Sequence, residues 1–89
     1  MARLVFAESY FDSIVEITSA KLQNRLEHLL ELMEEIPTFG SRKVRDSLKD
    51  EFGPNCMTAD LSPFELVFEY DAETDTVYVY GIRHQRRIR

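Results

Sequence analysis

The chain has 89 residues, 44% of them hydrophobic and 30% charged, with a net charge of -5. This length and composition predict a single globular domain over residues 1–89 and argue against intrinsic disorder. An acidic protein is not a general nucleic-acid binder, so any anionic ligand would have to be held by a local basic segment. The single cysteine, Cys56, excludes an intrachain disulfide and a cysteine-based metal site.

The sequence carries no targeting or membrane signal. Its N-terminus lacks the apolar stretch of a signal peptide, and no run of about 18 apolar residues occurs. We therefore expect a cytoplasmic protein that has no membrane partner.

The first 37 residues predict a strand followed by two helices. Arg3–Phe6 (RLVF) suits a short strand, and Glu8–Ile17 has apolar residues at helical spacing. Thr18 and Ser19 are capping residues, so a second, strongly amphipathic helix should begin there. Pro37 should end it at Ile36, since a residue before proline avoids helical angles.

The middle segment is less regular. Ser41 is predicted to cap a short helix over 42–48, followed by a loop over 50–54 and a strand over 55–61.

Two alternating runs, 64–70 and 76–83, flank an acidic turn and predict a β-hairpin. In the second run, alternation groups Ile82 with Tyr78 and Tyr80. The element order β-α-α-β-β-β predicts an α+β fold. Its antiparallel sheet of three or four strands would carry the N-terminal helical hairpin on one face. The other face, with Glu65, Val67 and Glu69, is expected to be open.

The hairpin delivers a basic cluster to one end of the sheet, because residues 83–89 contain four arginines and no acid. Histidine gains and loses protons near neutral pH, and the planar guanidinium suits phosphate. The alternative is a solvated tail that pairs with the acidic helices. The candidate anion-binding or target-binding residues are Arg83, Arg86, Arg87, Arg42, Lys43 and Arg45.

Several segments together resemble the RelE/ParE superfamily of bacterial toxins. The opening RLVFAESYFDSIVEI is similar to the first strand and helix of that family, and KLQNRLEHLLELMEEIP to its second helix. The most specific stretch is SPFELVFEYDAETDTVYVYGIRHQRR. Its ending, His84-Gln85-Arg86-Arg87, resembles the ParE and plasmid-stabilisation branch.

The resemblance implies the toxin of a type II toxin–antitoxin module, with an antitoxin as its partner. ParE-like members poison DNA gyrase, which we expect as the target because an acidic surface suits the ribosome less well. The alternative is a metal-free, RelE-type endonuclease acting on mRNA at the ribosome, in which His84, Arg87 and Glu65 would be catalytic. A non-toxic relative is the further alternative, since RelE-like nucleases usually have an arginine where Glu65 stands.

No cofactor or metal ion is expected under any of these readings. A homodimer and a hetero-oligomer with the antitoxin both remain open.

Overall fold

The structure, a computed structural model, describes residues 1–85, and the predicted anion-binding residues Arg86 and Arg87 lie outside them. The α+β class predicted from the sequence is confirmed. The elements are β1 (Arg3–Phe6), α1 (Glu8–Ser13), a 3-10 turn (Ile14–Glu16), α2 (Ala20–Glu35), α3 (Asp46–Phe52), β2 (Met57–Leu61), β3 (Phe64–Asp71) and β4 (Thr76–His84).

The four strands form one mixed sheet in the order β1-β4-β3-β2. The last three strands pair in antiparallel fashion, as expected. β1 lies at the edge and runs parallel to β4, with Arg3 opposite Thr76 and Phe6 opposite Val79. Parallel pairing requires a long crossover between strands, and the helical segment after β1 is part of that crossover.

The predicted helical hairpin packs on one face of the sheet, which we call the helical face. The Ser19 hydroxyl accepts a hydrogen bond from the Leu22 amide at 3.1 Å, which confirms the predicted cap of α2. That helix ends at Glu35, just before Ile36 and Pro37. The buried residues of this core are Ala2, Tyr10, Ile17, Leu26, Met33, Met57, Ala59, Leu61, Phe64, Leu66, Phe68, Val77, Val79 and Ile82.

The prediction of a helix over 42–48 capped by Ser41 is wrong, because α3 begins only at Asp46. Ser41 instead exchanges two backbone hydrogen bonds with Thr58 of β2, at 2.8 and 3.0 Å. This pairing holds the chain extended at the point where the helix was expected. The predicted loop is correspondingly shorter, since α3 continues to Phe52.

The second face of the sheet is covered rather than open, and we call it the α3 face. Val44 and Leu48 pack there against Cys56 and Val67, and Val67 is fully buried. Phe52 and Tyr80 pack against the same cluster. The four-residue spacing of Val44, Leu48 and Phe52 gives α3 and its N-terminal flank an apolar side that covers the strands.

A β-bulge in β4 changes which side chains share a face. Val67 lies opposite Gly81 but Phe68 lies opposite Val79, so Tyr80 is an extra residue. Ile82 therefore joins the core on the helical face, whereas Tyr80 packs on the α3 face. The predicted grouping of Ile82 with Tyr78 and Tyr80 is wrong for this reason.

Among residues 1–85, the helices are all too short or too polar to cross a lipid bilayer.

Candidate functional site

The candidate site lies at the end of the sheet where β3 begins and β4 ends. Phe64 is opposite His84, and Glu65 is opposite Arg83. Because neighbouring side chains on a strand alternate, His84 lies on the helical face and Arg83 on the α3 face. Glu65 shares the α3 face, so the structure does not bring its carboxylate together with the His84 imidazole as one acid–base pair.

Gln85 fixes the point at which the chain leaves β4. Its amide donates to the Pro63 carbonyl at 2.9 Å, and its side-chain amide donates to Asp60 Oδ1 at 2.5 Å. Hydrogen bonds from Ser62 and then Gln85 lower the pKa of Asp60 below its usual value. These two contacts hold Gln85 at the end of the sheet beside Pro63 and Asp60.

A cleft of about 380 Å³ opens on the helical face between α1 and the end of β4. The Ser9 hydroxyl donates to the Tyr80 carbonyl at 2.5 Å, and the Ser13 hydroxyl accepts from the Ile82 amide at 3.0 Å. These two serines thus bind the backbone groups on either side of Gly81. The cleft is lined by Ser9, Asp12, Ser13, Glu16, Ile82, Arg83 and His84.

His84 is anchored by two contacts at the mouth of this cleft. Its Nε2 lies 3.1 Å from Glu16 Oε1, and its ring centroid lies 4.7 Å from that of Phe64. The His84 side chain remains 69% exposed. A carboxylate at hydrogen-bond distance from Nε2 orients the imidazole ring.

Two ion pairs occupy the α3 face. The Arg45 guanidinium pairs with Glu65 and also donates to Ser47 Oγ at 3.2 Å and to the His84 carbonyl at 3.1 Å. Arg83 pairs with Glu51 of α3. Arg45 and Arg83, two of the residues predicted to bind an anion, are therefore each already paired with a carboxylate.

Arg83 has further partners. Its Nη1 donates to the Ile82 carbonyl at 2.8 Å, and its guanidinium carbon lies 4.9 Å from the centroid of the Phe52 ring. This cation–π contact adds to the pairing with Glu51 and holds the side chain across α3.

The remaining predicted cations within the described residues do not join this group. Arg42 and Lys43 are exposed in the segment before α3. Arg42 lines a separate groove beside the β3–β4 turn, together with acidic residues that include Glu69 and Asp71. Within residues 1–85, the predicted anion-binding residues are thus divided between two regions of the surface.

Tyr80 and Cys56 have packing roles on the α3 face. Tyr80 donates its hydroxyl proton to Glu69 at 3.1 Å and stacks on Phe52 with ring centroids 5.3 Å apart. Burial, followed by the nearby Glu69 carboxylate, raises the pKa of Tyr80 to about 12. Cys56 is buried as a small apolar side chain, and this burial raises the pKa of its thiol.

Sequence reasoning missed the contribution of α1 to the site. Asp12 and Glu16, and likewise Ser9 and Ser13, are four residues apart and so share a side of a helix. That polar spacing was the available signal. In the part of the chain that the structure describes, no group of three or more His, Cys, Asp or Glu residues could hold a metal ion.

Comparison with solved structures identifies the fold of this chain. No protein-family model matches the chain, and no curated protein matches it by sequence. A chain of the intact RelBE toxin–antitoxin complex of E. coli matches with a TM-score of 0.72 and 21% identity, over 98% of this chain and 100% of that one.

Two further structures agree with this result. The isolated RelE toxin of E. coli matches with a TM-score of 0.71 and 18% identity, over 99% of this chain and 88% of that one. A chain of the RelBE2 toxin–antitoxin complex of Mycobacterium tuberculosis matches with a TM-score of 0.64 and 15% identity, over 94% of this chain and 98% of that one. The chain therefore has a RelE-like fold. These matches do not show the ParE branch suggested by the ending at residues 84–87.

Proposed function

We propose that this protein is the toxin of a type II toxin–antitoxin module and acts as a RelE-type endonuclease on mRNA at the ribosome. The observation that carries the proposal is a RelE-like fold over 98% of the chain. The sequence resemblance to the RelE/ParE superfamily, which extends from the first strand to the last, supports the toxin part of the proposal independently. A cognate antitoxin and a cytoplasmic location follow from the proposal.

Cleavage of RNA without a metal ion requires the 2′-oxygen to attack the adjacent phosphorus while the 5′-oxygen leaves. One group must accept the 2′-hydroxyl proton, another must protonate the leaving oxygen, and a cation must stabilise charge on the phosphate. We assign acceptance of the 2′-hydroxyl proton to His84, whose exposed ring is oriented by Glu16 at 3.1 Å, and protonation of the leaving 5′-oxygen to solvent water at this exposed site. Arg86 and Arg87, which follow the anchored Gln85, are assigned to the phosphate.

Glu65 has a different role in this proposal. Its carboxylate is only 15% exposed and pairs with Arg45 on the face opposite the His84 ring. We therefore assign it to holding Arg45 rather than to proton transfer.

The test is cleavage of mRNA by purified protein on translating ribosomes, alongside inducible expression in a bacterium. Loss of a general acid or base typically costs a factor of about 100 or more. We expect such a loss for His84→Ala, and a complete loss when Arg87→Ala is added. The matched control is His28→Ala, because His28 is an exposed histidine on α2 and does not line the cleft.

The alternatives give different outcomes. Growth arrest with intact transcripts would contradict the nuclease assignment, and inhibition of supercoiling by purified gyrase would point to a ParE-type target instead. Normal growth on expression of the wild-type chain would contradict a toxin of either kind.

A further inference from the structure

Arg45 and Arg83 stand at the end of the sheet, beside the proposed site, yet each is matched with a carboxylate of the same chain. Arg45 pairs with Glu65, and Arg83 with Glu51 through two contacts. The side chains of Arg83 and Glu51 are 30% and 46% exposed, and those of Arg45 and Glu65 are 24% and 15% exposed. These guanidinium groups therefore lie near the surface without being open to solvent anions.

The covering element, α3, supplies or positions most of these contacts. It carries Glu51 on the same turn as Phe52, which lies under the Arg83 guanidinium. Arg45 is the N-cap residue of α3 and is tied to β4 through the His84 carbonyl. Leu48 fixes the helix to the sheet, since it is only 2% exposed.

We infer that Glu51 and Glu65 are specificity-determining residues that act as internal counter-ions and keep Arg83 and Arg45 from binding free RNA. The inference rests on the proposed function and extends it to the selection of substrate. An RNA phosphate must displace a carboxylate that already pairs with the guanidinium. The carboxylate belongs to the same chain, so its pairing costs no association entropy, whereas binding of a separate RNA molecule does. An isolated RNA strand loses this competition, whereas RNA positioned by the ribosome gains contacts that an isolated strand lacks.

In most RNA-binding proteins the affinity for RNA follows the overall positive charge. Here we expect it to depend on which acidic residue is removed. Removing the negative charge of Glu51 or Glu65 should expose a phosphate-binding arginine, and removing the charge of an acid outside these two ion pairs should not. Partly exposed ion pairs are worth up to about 1 kcal/mol, so the affinity for free RNA should rise by about threefold to fivefold.

The experiment measures binding of the full chain to a fluorescent 2′-O-methyl oligouridylate, which cannot be cut by attack of the 2′-oxygen. Glu51→Gln is compared with Asp50→Asn, because both replace an acid on α3 and change the net charge by the same amount. We expect Glu51→Gln to bind threefold to fivefold more tightly than Asp50→Asn, within the estimate above. Its affinity should also fall more steeply with salt, by roughly one phosphate contact.

Two further variants connect the effect to the arginines. Adding Arg83→Gln to Glu51→Gln should remove the gain. Glu65→Gln should raise affinity relative to Glu73→Gln, an exposed acid in the β3–β4 turn, provided that thermal melting shows both to be folded. Equal binding by Glu51→Gln and Asp50→Asn would overturn the inference, since only net charge would then matter.

The readout separates this inference from the proposed function. Binding to free oligonucleotide requires neither a ribosome nor cleavage. A selective gain for Glu51→Gln in a protein that cuts no mRNA would leave the counter-ion role standing and remove the nuclease assignment. Cleavage of mRNA without a selective gain for Glu51→Gln would support the nuclease assignment and remove the counter-ion role.

Discussion

At the scale of single residues, Gly81 determines how closely α1 approaches the sheet. Its φ is 145°, in the region that favours glycine. A Cβ at this position would lie 2.8 Å from Ser13 Oγ and 3.1 Å from the Ser9 carbonyl oxygen. The bulge, the two serine hydrogen bonds and the cleft beside His84 all depend on this absence of a side chain.

Gly81→Ala should therefore destabilise the protein by more than backbone strain alone. Gly53→Ala is the matched control, because Gly53 also has a positive φ of 103° but meets only Glu69 Oε1, at 3.9 Å. Overpacking costs about 1–3 kcal/mol, so Gly81→Ala should lose at least about 1 kcal/mol more than Gly53→Ala. Urea denaturation measures both, and equal losses would mean that α1 moves away at no cost.

Tyr80 should make the free energy of unfolding depend on pH in the alkaline range. Its pKa is raised to about 12 in the folded protein, from 10.0. The folded state therefore binds more protons than the unfolded state above about pH 10, and the free energy of unfolding falls as pH rises towards 12. Urea denaturation at about pH 8 and about pH 11 should show a smaller fall for Tyr80→Phe than for the wild type. An identical fall in both would assign the alkaline sensitivity to other groups.

At the scale of elements, α3 is a short helix that closes one face of the sheet. It has only seven residues, so its own helical propensity is too weak to hold it in place. Its stability comes from Leu48 and Phe52 packed on the strands and from the ion pairs of Arg45 and Arg83. Apolar packing and ion pairing therefore contribute separately to the stability of α3 on this face of the sheet.

Leu48→Ala tests the packing contribution. Truncating a buried leucine costs about 2–5 kcal/mol, a large part of the total stability of a small domain. Val15→Ala is the control, because Val15 is 72% exposed and its loss should change stability by less than about 0.5 kcal/mol. A loss for Leu48→Ala as small as that of the control would mean that α3 rests on the sheet without holding it.

Local signals predicted most of the elements, and long-range contacts decided the rest. Ser19 and Pro37 mark the ends of α2 within a few residues, so the sequence sufficed there. The start of α3 depends on Ser41 pairing with Thr58, and the bulge depends on the contact of Gly81 with α1. Neither contact can be recognised from neighbouring residues alone.

At the candidate site too, some features could be predicted from the local sequence and others depend on long-range contacts. The basic composition of residues 83–89 could be read directly, and His84 lies at the end of the sheet as expected. The pairing of Arg83 with Glu51 joins residues 32 positions apart, and that of His84 with Glu16 joins residues 68 apart. Charge pairing over such separations depends on the fold, which is why composition alone overstated the free positive charge.

At the scale of the whole molecule, opposite charges are separated along the chain. Residues 60–76 contain six acids and no base, whereas three of the eleven basic residues follow Gln85. Within an overall charge of -5, the basic residues are densest in the last seven positions of the sequence. We therefore expect attraction to a polyanion to come from that basic segment rather than from the molecule as a whole.

The edge position of β1 has a consequence for how the sheet assembles and opens. β1 ends at Phe6, and its partner strand begins only at Thr76, so this pairing closes the longest loop in the sheet. It also spans four residues, whereas β3 and β4 pair along eight. The β2–β3–β4 meander can form before β1 docks, and the amide protons of β1 should exchange with solvent sooner than those of the central strands.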